Sequence, residues 1–146
     1  MAETKKRLTN KLAVLQVLAC LMKNPLLCNR AEYNIEMDDF VEQFHRILYG
    51  AISNLSSSGL KTITYIDIDQ YLAQYPMQYK VFTDNRGVEY VIKALEIAEE
   101  RNFPYYYNTL KKMSLLNKLK DNGFDISDFY DDSVVDPIKA AELQER

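Results

Sequence analysis

His45 is the single histidine of this 146-residue chain, and so its one side chain whose ordinary pKa suits proton transfer near neutrality. A histidine acting as base or metal ligand needs a companion, either a nucleophile to activate or further soft ligands at metal spacing. Cys20 and Cys28 are the two cysteines, and neither stands in a Cys/His or Ser/His/Asp arrangement whose spacing argues for catalysis. Cys20 falls in an apolar helical run and reads as core. His45 reads as a boundary residue at the margin of an apolar helix face, making one hydrogen bond. The "IDID" stretch sets Asp67 two residues before Asp69, but Asp67 is better placed to cap a helix than to pair as a metal ligand. "GLKT" at 59–62 imitates a phosphate loop. Leu60 separates the glycine from Lys61, however, and Gly50 lies nine residues back rather than five, so the backbone amides cannot ring a phosphate. "DNGFDISDFYDD" has the carboxylate density of a calcium loop without its D-x-[DN]-x-[DN]-G order, and reads as a solvated acidic connector. No catalytic residue, metal site or cofactor site is expected in this segment.

One stretch still invites a chemical reading. "FPYYYNTLKKMSLLNKLKDNGFDI", residues 103–126, sets three tyrosines before four lysines, a composition that could stack bases and grip phosphates. Consecutive helical residues point about 100° apart, so three adjacent tyrosines cannot form one platform. Packing or a protein interface is the better account of this stretch. The net charge of −3 adds no push toward autonomous DNA binding.

The elements that would carry these residues are helical. Four Gly and four Pro disfavour a turn-rich fold, and 47% hydrophobic with 27% charged residues is an ordinary globular balance. The longest apolar run, 12–22, falls short of the roughly 20 residues a membrane span needs. No membrane contact is expected, and the chain reads as cytoplasmic. Leu8, Leu12, Leu15, Ala19 and Met22 predict a first helix over 5–23, closed by Asn24-Pro25. Asp38 or Asp39 is expected to cap a second, with Glu42 completing a capping box and Phe40, Phe44, Ile47, Leu48, Ala51, Ile52 and Leu55 on its apolar face. "TITY" could be briefly extended. Asp67 with Gln70 is expected to open a short helix ending before Pro76. Two further helices are expected, from 87 to 101 and from about 103 to Gly123, joined by a connection short enough to make an antiparallel hairpin.

Both arms of that hairpin carry apolar residues on two faces. Tyr90, Ala94 and Ile97 lie opposite the main face of the first arm, and Tyr105, Leu115, Leu116 and Leu119 toward the other side of the second. A hairpin buries one face against itself, so these residues need the body of the domain or a second chain. The expected division is a helical head over 1–84, the hairpin over 85–123, and an acidic connector over 124–146 that starts a further helix at Asp136-Pro137.

The order and separation of "LAVLQVLACLMKNP", "DDFVEQFHRILYGAISNL" and "FPYYYNTLKKMSLLNKLKDNGFDI" resemble the N-terminal domain of DnaB-type replicative DNA helicases. The likeness covers residues 8–126, and 136–146 falls where that family has its linker helix. Ala19, Lys11, Leu48 and Asn117 depart from the usual residues, which points to a divergent branch from a phage or a low-GC Gram-positive bacterium. The resemblance implies an all-α fold, a compact helical head followed by the hairpin and the start of the linker helix. It implies a non-catalytic domain serving ring assembly in a hexameric ATP-dependent helicase, with ATP and Mg expected only in a C-terminal ATPase domain absent from this segment. It implies self-association, as a dimer here and a hexamer in the full-length protein, with Tyr90, Ala94, Ile97, Tyr105, Leu115, Leu116 and Leu119 at the hairpin interface. Primase and helicase loader are the implied protein partners, and DNA is contacted mainly through the absent domain. The lysines of the second arm would then pair with Glu89, Glu96, Glu99 and Glu100 of the first. A free-standing replication adaptor or loader-like protein that binds a helicase or primase is the alternative.

Overall fold

The computed structural model describes residues 8–124, and every regular element among them is helical, as expected for an all-α chain. Six α-helices occur in chain order: α1 (Lys11–Lys23), α2 (Gln43–Ser57), α3 (Tyr65–Leu72), α4 (Pro76–Asp84), α5 (Gly87–Ile97) and α6 (Phe103–Asp121). The connector over 125–146 and the helix expected from Asp136 lie outside the described residues.

Local chemistry sets the helix ends. The Asn10 side chain accepts the Ala13 N–H at 3.0 Å, satisfying a first-turn donor, so α1 starts six residues later than its leucine spacing predicts. Leu8 is thereby left outside the helix. Asp39 does accept an amide, but from Glu36 at 2.8 Å, closing a 3-10 turn over Met37–Asp39 rather than opening α2. Thr64, expected in an extended piece, is the N-cap of α3: its Oγ1 accepts from Asp67 N–H at 3.4 Å while the Asp67 carboxylate takes the Thr64 N–H at 2.9 Å. Pro76 ends nothing. It stands at the start of α4, where its missing N–H costs no hydrogen bond.

α1 is the central element. Ala13, Val14, Gln16, Val17, Leu18, Ala19, Cys20, Leu21 and Met22 are all buried, so it needs neighbours on several sides. α2, α5 and α6 supply them, with α3 and α4 packed under α2 and α5. Phe40, Phe82 and Phe103 fill the core between the helices at 0–1% exposure, each such ring stabilising the fold by roughly 1.5–3 kcal/mol through burial.

This arrangement replaces the expected hairpin. α5 and α6 do not lie side by side; each packs along α1. Their short connection runs over the Gln16, Cys20 and Asn24 stripe of α1 instead. Gln16 Nε2 donates to Ile97 O at 2.9 Å, Glu99 N–H donates to Gln16 Oε1 at 2.9 Å, and Asn24 Nδ2 donates to Glu100 Oε2 at 3.1 Å. The short connection was sound evidence that the helices are neighbours in sequence, but a helix apolar all round takes precedence as packing partner. The core follows suit, running without a break from Phe82 to Val91, Phe103 and Leu110, so packing marks no division at 84/85.

Candidate protein interface at the end of α6

α6 buries Phe103, Tyr106 and Leu110 in the main core and Met113 in a small cluster with Leu8 and Leu116, and its tyrosines divide by periodicity as expected. Tyr106 is buried, with its hydroxyl donating to Glu99 at 3.2 Å. Tyr107 meets Tyr33 edge to face at 5.0 Å and accepts the Asn34 N–H at 2.9 Å. Tyr105 is half-buried and packs against the core. No stacking platform remains.

The lysines are also partly committed. Lys111, one turn after Tyr107, donates to Asn34 O and to Asp39 Oδ2, both at 2.9 Å. Asp39 has a fully buried side chain, so this ion pair ties α6 to the 30–39 loop and neutralises an interior charge. Glu99 and Glu100 are held by Tyr106 and Asn24, and α1 stands between the arms that were expected to exchange charges.

The seven residues expected at an interface separate into three groups. Ala94 and Leu116 are 0% and 4% exposed, enclosed by the chain's own fold. Tyr90 is half-buried, edge-on to Phe44 at 5.0 Å, and burial together with Glu42 pushes its phenol well above the ordinary tyrosine range. Both arms pack against α1, and Tyr90 of α5 also meets the Phe44 and His45 rings of α2, on the side that was expected to face another chain. Ile97 and Leu115 are accessible, at 40% and 56%, with Tyr105 and Leu119 partly so.

Leu115 and Leu119 gain a third member that the sequence reading left out. Phe124 N–H donates to Leu119 O and Gly123 N–H to Lys120 O, at 3.0 and 3.1 Å, with Gly123 at φ 86°, which is a Schellman cap. That cap sets Phe124, 62% exposed, three residues beyond the helix and paired in the motif with Leu119. Gly123 was the sequence signal for it. The result is an apolar tip of Leu115, Leu119 and Phe124 edged by exposed Lys112 and Lys118.

A second apolar surface lies between α2, α3 and α4. It is a groove of about 330 Å³ lined by Met37, Arg46, Ile47, Tyr71, Tyr75 and others, with no carboxylate. No group of three His, Cys, Asp or Glu among the described residues is arranged to hold a metal ion, and no described helix is long and apolar enough to cross a membrane. His45 is buried in contact with the Phe44 and Tyr90 rings, deeper than the boundary position expected of it.

Residues 9–112 match the family model described as DnaB-like helicase N terminal domain. The chain belongs to this family. The DnaB-like domain is also 43% identical, over 140 residues, to the SPbeta prophage-derived uncharacterized protein YorI of Bacillus subtilis (strain 168). That match covers 95% of this chain and 28% of the relative, and its prophage source agrees with the expected phage or low-GC Gram-positive branch. No solved structure matches the DnaB-like domain. Family membership supports a replicative-helicase-associated role. The matched region stops at Lys112, so the apolar tip of α6 lies beyond it.

Proposed function

We propose that this chain acts as the non-catalytic N-terminal domain of a hexameric, ATP-dependent replicative DNA helicase in the cytoplasm, serving ring assembly and primase or loader contact. ATP, Mg and the main grip on DNA belong in this reading to a separate ATPase domain. The observation that carries it is the apolar tip of Leu115, Leu119 and Phe124 on a chain of the DnaB-like family. Exposed leucine and phenylalanine side by side at a helix end favour association, since covering them removes apolar surface from water. Self-association is assigned to this tip, and a partner protein to the groove between α2, α3 and α4.

Sedimentation of the 146-residue chain across a concentration series tests the assignment. Wild type is expected to associate, and Leu115→Glu with Phe124→Glu to shift it toward monomer with helicity unchanged. Unaltered association in that double variant removes the tip from the interface. Leu116 is unsuitable for this purpose, because a charge at a 4% exposed position would test folding instead.

A further inference from the structure

The groove between α2, α3 and α4 is lined by uncharged residues with one exception. Met37, Ile47, Leu72 and the Tyr71 and Tyr75 rings supply its apolar surface, and Gly50 adds no side chain. Its volume of about 330 Å³ is at the small end for a ligand pocket, so it admits side chains rather than a whole helix.

The exception is Arg46. Its Nε donates to Phe40 O at 2.7 Å, which fixes the plane of the guanidinium, and neither Nη group has a hydrogen-bond partner among the described residues. The lining amide of Asn54 is already matched, its Nδ2 donating to Gly50 O at 3.0 Å and to the Tyr71 hydroxyl at 2.8 Å. α4 adds charge of the same sign as Arg46. Tyr75 and Gln78, both lining residues, bracket the first turn of α4, whose N-terminus has no side-chain cap and keeps its partial positive charge. No carboxylate lines the groove to answer either one.

A fitting occupant therefore brings an apolar side chain and a negative charge together. A carboxylate is the group that a planar guanidinium takes in two parallel hydrogen bonds. The walls are helices, whose backbone groups are engaged in their own ladders, so the groove offers no strand edge to pair with. The docked segment has to satisfy its own backbone, as a helix does.

We propose that this groove takes an acidic amphipathic helix of a partner protein, with an apolar side chain seated between α2, α3 and α4 and a neighbouring carboxylate on Arg46. The inference rests on the assignment of a partner protein to the groove and names the chemistry of that partner.

The test is fluorescence anisotropy of a labelled peptide titrated with the full 146-residue chain. The probe is an alanine-rich helical peptide carrying two leucines one helical turn apart and a glutamate one turn beyond them; its control carries glutamine in place of the glutamate. The glutamate peptide is expected to bind about tenfold more tightly than the glutamine peptide, and Arg46→Met to erase that difference. Gly50→Leu, whose Cβ meets Met37 Cε at an ordinary 3.6 Å, should occupy the groove and weaken both. The peptide comparison is made on unaltered protein, so a folding defect in either variant does not decide it. Equal binding of the two peptides to wild type, weakened by Gly50→Leu, overturns the carboxylate assignment and leaves the groove as a docking site. Binding of neither peptide overturns the groove assignment as well. A synthetic peptide of residues 125–136, DISDFYDDSVVD, that binds more tightly than the probe and loses that advantage in Arg46→Met reassigns the occupant to this chain's own acidic segment, which overturns the partner protein.

Discussion

Replacing Gly87 with alanine should destabilise this protein, although alanine is the better helix former. Gly87 is the first residue of α5 and is buried against Phe82. A Cβ placed there stands 2.6 Å from Phe82 Cγ and closer still to Cδ1 and Cε1. Unstrained carbon contacts lie at about 3.5–4.0 Å, so the ring would have to retreat by roughly 1 Å or more. It has nowhere to go: Phe82 is 0% exposed, stacked on Tyr79 at 6.2 Å and facing Phe44 at 6.4 Å. Overpacking of this kind costs about 3 kcal/mol at the severe end, while the helix and chain-entropy gain of alanine returns at most about 1 kcal/mol. The net loss is about 2 kcal/mol, which at a urea slope of roughly 2 kcal/mol/M lowers the unfolding midpoint by about 1 M. Urea titration followed by circular dichroism reads this directly. A midpoint at or above wild type would refute the close-packing argument and leave helix propensity in charge. Adding Phe82→Leu should recover part of the loss, because the two positions share one contact.

Three other outcomes are expected. Lys111→Met strands the buried Asp39 carboxylate and should cost about 3 kcal/mol in thermal or urea unfolding, much of it regained when Asp39→Asn is added. Burial holds the His45 imidazole below its ordinary value of 6.5, with Glu42 opposing and Lys11 reinforcing the shift. The unfolded chain then binds a proton that the folded one refuses, so stability is fully present above about pH 6.5 and declines as the pH falls toward the folded value; His45→Gln should flatten that part of the profile. Burial pushes the Cys20 thiol up to about 11 and raises that of Cys28, so both should react slowly with a disulfide reagent until the protein is unfolded, with half-buried Cys28 the faster of the two.

Periodicity made α2 and α6 legible, and the split of the tyrosines followed from the same 100° step. What the sequence reading missed has identifiable causes. α4 was overlooked because Pro76 was taken as a stop, when proline serves equally as a first helical residue. The hairpin was inferred from loop length, which says how far two helices can separate but not what lies between them. The apolar residues around α1, with Val14, Leu18 and Leu21 as buried as Val17, were the available sign that it must sit among several helices. Leu8 was read as the start of α1 because its spacing fits, and only the competing Asn10 cap excludes it. Of the residues expected at an interface, the accessible positions of Leu115 and Leu119 were within reach of pattern alone. Leu116 was not, because its enclosure depends on Leu8, a partner 108 positions away in the chain.

The central place of α1 also sets the order in which the molecule can complete itself during synthesis. Of the described helices its walls α5 and α6 are made last, and the Leu8 to Asn117 bonds join residues 109 positions apart. At about 5–20 residues per second, α1, with nine buried residues, waits on the order of 5–20 s after its own synthesis before α6 is complete. A chain arrested before α6 leaves the α6-facing side of α1 uncovered, which makes truncated products of this protein candidates for chaperone capture.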